Sequence, residues 1–288
     1  MKQFCKTALF VAFLLLSSYG LQAQTTQAQH KPVCLDNTEQ FSIASKYVAG
    51  ETYVIQVGLP IGYAPSKKSY PVLDVLDGDK SFGMTKETAD WLMWSKEIKD
   101  IIVVAISYGK GTDEWWQKRA RDYSHCDDTI VFKGWFNQTG GADNFLKFVK
   151  NELFPMVNNK YRINQDSTAI MGFSFGGLLS SYVLFIQPDM FKGYIIISPA
   201  LVWNNNSILK MEADYFSKHK ELNNLVYMSY GSLDSKDLVL IPTKELIQTL
   251  QSRNYEGLKF VMQILEGETH ISGYPVALTH GLKTVFKR

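Results

Sequence analysis

The sequence predicts an α/β fold, a mostly parallel sheet with helices on both faces. Three observations carry that expectation. Apolar, β-branched runs alternate with helical segments along the whole chain, as in strands joined by crossovers. Residues 101–106 and 194–197 are apolar at almost every position, as strands buried on both faces are. Finally, Gly172-Phe173-Ser174-Phe175-Gly176 lies between a strand and a helix, the setting of a nucleophile elbow. A serine at the apex of such a turn holds its hydroxyl clear of the chain. Its flanking glycines lack the Cβ atoms that would collide, and the helix N-terminus aims free N–H groups at a nascent oxyanion.

The elements follow in order. Residues 24–37 are Gln- and Thr-rich and read as a lead-in; 41–45 and 51–57 alternate apolar and polar residues and read as two antiparallel strands. Residues 70–76 form a buried strand that runs into the tight turn Asp77-Gly78-Asp79. A helix is expected over 84–99, with Trp91, Leu92, Trp94 and Ile98 on its apolar face, and 101–106 is the next strand. Residues 108–141 read as a long irregular segment whose aromatic density argues for a functional rather than a disordered loop. A helix over 143–160, interrupted near Pro155, precedes the elbow strand at 167–172 and its helix at 178–186. Strands at 194–197, 225–230 and 258–265, with helices at 242–252 and 279–287, complete the chain.

Composition bounds the rest. The length of 288 residues suits one large α/β domain or two small ones, and 45% hydrophobic with 20% charged is ordinary for a globular chain. Lys2 and Lys6 precede an apolar run, 8–18, that is too short to span a bilayer, and cleavage after Ala23 fits the small residues that follow. The expected organisation is a signal peptide over 1–23 and a single domain over 24–288, exported to the periplasm or medium, with no stable membrane anchor after cleavage. Without those two lysines the chain carries 28 basic and 28 acidic residues, which points away from nucleic acid and anionic membranes as partners. Cys34 and Cys126 are an even pair for an oxidising compartment, expected to stay free or buried, and neither has metal-ligand spacing. Nothing in the sequence implies a metal or organic cofactor, and oligomeric state leaves no mark in it.

An alcohol is a weak nucleophile at neutral pH, so Ser174 needs a base within hydrogen-bond reach. Of the five histidines, His270 alone follows the final strand on a polar turn; His30 is in the lead-in, His125 in the aromatic segment, His219 on a lysine-rich stretch, and His280 at the start of the last helix. Asp234, just past the end of its strand, is the candidate acid that would orient His270, with Asp237 as competitor and a dyad without acid also open. The oxyanion hole is expected from the backbone N–H groups of Phe175 and of Asp79. The Asp77 and Asp79 pair lacks further spaced ligands and reads as turn chemistry rather than a metal site. Ser174, Asp234 and His270 each follow a different strand, and ligands bind beyond the carboxyl ends of the strands in such sheets.

Several motifs occur together and in order: Leu76-Asp77-Gly78-Asp79, Arg119-Ala120-Arg121-Asp122-Tyr123, Gly140-Gly141-Ala142-Asp143, Gly172-Phe173-Ser174-Phe175-Gly176-Gly177, Ser198-Pro199-Ala200 and Gly267-Glu268-Thr269-His270. This set, from about Glu51 onward, resembles the putative-esterase family of α/β-hydrolases, which includes siderophore, feruloyl and S-formylglutathione esterases, and is most similar to the siderophore-esterase branch. The resemblance implies the α/β-hydrolase fold and a serine carboxylic-ester hydrolase acting on a small-molecule ester, with Ser174 as nucleophile and His270 as base. Dyad members of that branch keep the role of Asp234 open. Phe173 departs from the polar residue often found before the nucleophile, and its side chain is expected to point into the core.

Arg119 and Arg121 have two readings: recognition of an anionic substrate group, or an ion pair that ties down the long segment. Trp115, Trp116 and Trp203 are the candidates for an acyl or aryl pocket. Two rival functions share the same residues. One is an acyltransferase, if the aromatic segment excludes water, and the other is a non-catalytic binding module that retains the fold.

Overall fold

Eight strands form one sheet in the order β1-β2-β4-β3-β5-β6-β7-β8. The computed structural model describes residues 33–288, of which Leu35–Arg288 make up one compact unit; the signal-peptide segment 1–23 lies outside the described residues. In chain order the elements are β1 (Thr38–Ala44), β2 (Thr52–Gly58), β3 (Tyr70–Val75), α1 (Gly78–Trp94), β4 (Ile102–Ser107) and α2 (Thr112–Tyr123). They continue with α3 (Ala142–Phe148), α4 (Phe154–Lys160), β5 (Ile163–Phe173), α5 (Phe175–Ile186), β6 (Gly193–Ile197) and α6 (Trp203–Lys218). β7 (Leu225–Gly231), α7 (Ile241–Arg253), β8 (Lys259–Leu265) and α8 (Gly273–Val285) close the chain. β2 pairs antiparallel with both β1 and β4, whereas β4-β3-β5-β6-β7-β8 pair in parallel throughout. This is the α/β-hydrolase architecture.

The two faces follow from the period of two along each strand. Leu73, Val75, Val103, Ala105, Met171 and Ile195 bury against Phe82, Ala89 and Leu92 of α1 and Ala277, Leu278 and Leu282 of α8. Their neighbours Val72, Val104, Ile170, Tyr194 and Ile196 face the larger core built by α2 to α7. α3 passes through a π-helical turn, Val149–Leu153, into α4, whose Pro155 sits in the first turn, where a missing N–H costs nothing.

Four expectations are corrected. Residues 112–123, within the stretch expected to be irregular, form α2; its buried face carries Arg119 among Ala120 and Tyr123, and a cation at a core position hides the apolar stripe. α6 was unforeseen: Asn204, Asn205 and Asn206 hold left-handed backbone at its start, which reads as a turn. α1 begins at Gly78 and stops at Trp94; Trp91 and Trp94 are outward, 66% and 71% exposed, and meet edge to face, while the buried Ile98 lies beyond the helix. α8 starts at Gly273 rather than near residue 279, placing His280 mid-helix, where its Nδ1 contacts Gln263 Oε1 at 2.6 Å.

Candidate active site

The elbow is built by steric necessity. Ser174 holds φ 59° and ψ −114°, a strained geometry for a residue with a Cβ. A Cβ at Gly172 would lie 2.0 Å from the Gly176 carbonyl oxygen, and one at Gly177 would lie 2.9 Å from Pro199, so both positions require glycine. Ser174 N–H donates to Ile197 O at 3.0 Å, and Ala200 N–H donates back to Ser174 O at 3.0 Å, pinning the elbow to the end of β6.

The base and acid come from the ends of β8 and β7. His270 Nδ1 lies 2.7 Å from Asp234 Oδ1. The other carboxylate oxygen of Asp234 accepts from Ser198 Oγ at 2.8 Å and from Gly231 N–H at 3.0 Å. Burial pushes this carboxyl up, but the hydrogen bonds from His270, Ser198 and Gly231 outweigh it and hold it below the ordinary aspartate value. An ionised Asp234 is acceptor-only, so Nδ1 carries the proton and Nε2 is left with its lone pair. Asp237, the competitor, is exposed and starts a separate π-helical turn. Among the described residues, neither the Ser174 hydroxyl nor His270 Nε2 has a hydrogen-bond partner, yet both border one cavity of about 520 Å³. That cavity is mostly apolar, walled by Leu76, Met84, Trp115, Trp116, Phe173 and Tyr274.

Phe173 meets only part of the expectation that its side chain enters the core: it packs against the smaller core cluster but is not enclosed by it. It is half-buried, borders the cavity, and packs its ring 4.6 Å from the His270 imidazole and 5.1 Å from Tyr274.

The oxyanion side is the turn between β3 and α1. Phe175 N–H opens α5, and Asp79 N–H lies in the first turn of α1; neither has an intramolecular acceptor among the described residues. The Asp79 carboxylate faces away, accepting from Tyr108 N–H at 2.7 Å and Gly109 N–H at 2.8 Å. Asp77, which sequence reading treated only as a turn-former, adopts left-handed backbone (φ 56°), and its N–H donates to Tyr123 Oη at 3.0 Å. Among the described residues no cluster of His, Cys, Asp and Glu is arranged to hold a metal ion.

The arginines divide. Arg119 borders the cavity, but its guanidinium is buried and engaged: Nε and Nη2 donate to the two Asp77 carboxylate oxygens at 2.7 Å each, and Nη2 reaches Phe173 O at 3.3 Å. It is stacked among Trp115, Trp116, Tyr123 and Phe175, and so ties α2, the oxyanion turn and the elbow together rather than standing free for substrate. For Arg121 the substrate reading is corrected and the ion-pair reading holds. Arg121 pairs with Asp122 and Glu51 and borders a different cavity of about 740 Å³. Trp203 is likewise a buried support, its Nε1 donating to Cys126 O at 2.9 Å and its ring against Phe132 and Phe175. Trp115 and Trp116 do wall the candidate site. Cys126 is a free thiol whose Sγ accepts from Asn204 Nδ2 at 3.3 Å. No helix among the described residues is long and apolar enough to cross a membrane.

Comparison with known proteins agrees with this geometry. The family model described as "Putative esterase" matches residues 45–269. The chain is 28% identical to the ferri-bacillibactin esterase BesA of Bacillus subtilis over 246 residues, covering 81% of this chain and 84% of that protein. It is 32% identical to the siderophore triacetylfusarinine C esterase of Aspergillus fumigatus over 212 residues, 70% of each chain. The crystal structure of the BES protein from Bacillus cereus superposes with a TM-score of 0.82 at 29% identity, covering 91% of this chain and all of that one. A strained serine elbow and a histidine–aspartate pair at one sheet edge thus sit in a chain that belongs to the putative-esterase family of α/β-hydrolases, on its siderophore-esterase side, and is a carboxylic-ester hydrolase.

Proposed function

We propose that this hydrolase works through an acyl-enzyme on Ser174, with His270 as general base and Asp234 as the residue that orients it. The observation that carries the reading is the Asp234 carboxylate, which is held ionised by Ser198, Gly231 N–H and His270 Nδ1, while His270 and Ser174 line one cavity. In acylation the Ser174 oxygen bonds to the ester carbonyl carbon while Nε2 takes its proton, and the tetrahedral oxyanion sits between the N–H groups of Phe175 and Asp79. Collapse breaks the bond to the alcohol, which leaves with the proton from imidazolium. Water, deprotonated by the same nitrogen, then forms the acid and restores the serine. Approach of Ser174 Oγ to Nε2 on substrate binding completes a contact that is open in the free enzyme.

The substrate class follows from the relatives, which are named for siderophore esters, and from the aromatic walls of the cleft: a small-molecule ester with a flat, apolar portion. The Lys2, Lys6 and 8–18 pattern supports an exported enzyme. A fluorophosphonate probe tests the mechanism. It should label the wild type at Ser174 and leave folded Ser174→Ala unlabelled; label found on another residue would sink the assignment. Hydrolysis of a catecholate trilactone in preference to 4-nitrophenyl acetate tests the substrate class.

A further inference from the structure

We propose that Lys80 reads charge on the ester, so that the cleft favours substrates bearing an anionic oxygen group, a carboxylate or phenolate, over neutral esters of the same shape. This rests on the esterase reading above. Besides the Tyr274 phenol, four titratable side chains border the cleft: Asp77, Arg119, His270 and Lys80. Asp77 and Arg119 neutralise each other through two hydrogen bonds, and His270 is turned to Asp234. The acids closest to Lys80 and Trp115 in the chain are also engaged, Asp79 with the N–H groups of Tyr108 and Gly109 and Glu114 with Lys118. Lys80 has no ion pair among the described residues; its ammonium stands 5.5 Å from the centroid of the Trp115 ring.

The wall beside the lysine is flat and apolar, since Trp115, Trp116, Phe173 and Tyr274 line the same cleft. The cleft therefore presents, among the described residues, a cation without an ion pair beside a flat aromatic face, and its carboxylate is already paired. A planar anion is the complement of that surface.

The test compares matched substrates in wild type, Lys80→Gln and Lys80→Glu. One pair, 4-acetoxybenzoate and 4-acetoxybenzamide, places the charge on the alcohol side; 4-nitrophenyl hydrogen succinate and 4-nitrophenyl succinamate place it on the acyl side. Wild type should prefer the anion in at least one pair by about fivefold in kcat/KM, with the difference in KM and shrinking as salt is raised. The ratio should fall toward one in Lys80→Gln and invert in Lys80→Glu. The same ratio in wild type and Lys80→Gln would overturn the inference while leaving the esterase intact. No hydrolysis of any of the four esters by folded wild type would overturn the esterase reading, and this one with it.

Discussion

Asp234 and Asp74 are carboxylates buried to nearly the same degree, 6% and 3% exposed, and the protein treats them in opposite ways. At the carboxyl edge of the sheet, Asp234 is met by an imidazole, a hydroxyl and a backbone N–H, and stays below the ordinary aspartate range. In the middle of β3, Asp74 accepts no hydrogen bond among the described residues, and burial pushes it up to about 8. Burial raises both; the donors decide the outcome. Asp77 is a third solution, neutralised by the buried Arg119 guanidinium. The histidines repeat the contrast. His270 is partly exposed and bound to an anion, whereas burial pushes His125, stacked on Tyr182, down to about 4.

The largest effect that would break this comparison is loss of the Ser174–His270 function. Ser174→Ala and His270→Ala should each lower kcat by about 10⁶-fold with unchanged unfolding curves, read with any turned-over ester. Asp234→Asn comes next: it keeps the shape but cannot hold Nδ1 protonated, and kcat should fall by about 10⁴-fold. Unaltered turnover in that variant would mean that the enzyme runs as a dyad. Asp237→Asn, on the exposed turn, should leave kcat at the wild-type value.

Stability sharpens the same contrast. Arg119→Met leaves the Asp77 charge buried and unpaired, which should cost about 3–5 kcal/mol in urea unfolding. Asp74→Asn should act in the other direction. Between the unfolded aspartate value near 4 and about 8, the native state retains a proton that the unfolded chain has released. Wild-type stability therefore falls as pH rises, by up to about 1.4 kcal/mol per pH unit for this one group. His125 has the opposite sign: below its ordinary value of 6.5 the unfolded chain binds a proton that the native state takes up only near 4, so it lowers stability on acidification. The two slopes oppose each other between about 4 and 6.5, and only that of Asp74 remains from 6.5 to 8. Unfolding free energies of Asp74→Asn should be flat over that upper window; a slope equal to that of wild type would refute the assignment.

The positions of the strands along the chain and the strained elbow at Ser174 were legible in the sequence because they rest on local rules. Alternation of apolar runs sets the α/β class, glycines flanking Ser174 answer a local steric demand, and Ser174, Asp234 and His270 follow their strands in order. Features that depend on what lies opposite were not legible. Arg119 was open between an ion pair that ties down the long segment and a substrate ligand, because only packing brings Asp77 and the Phe173 carbonyl to it. Phe173 was expected in the core, yet the distant turn carrying His270 folds over it. Trp203 and Arg121 shared the composition of a pocket but belong to the support and to another cavity.

By itself the sequence determined the fold class and the glycine-flanked elbow at Ser174, since period and turn sterics are properties of neighbouring residues. Only the tertiary structure decided that Asp234 rather than Asp237 faces His270, that Ser198 helps to hold it ionised, and that Arg119 is consumed while Lys80 has no ion pair among the described residues. The reason is electrostatic. Whether a charged group is free or engaged depends on the partners that folding brings within about 3 Å of it and on the water it removes, and neither is written in the spacing along the chain.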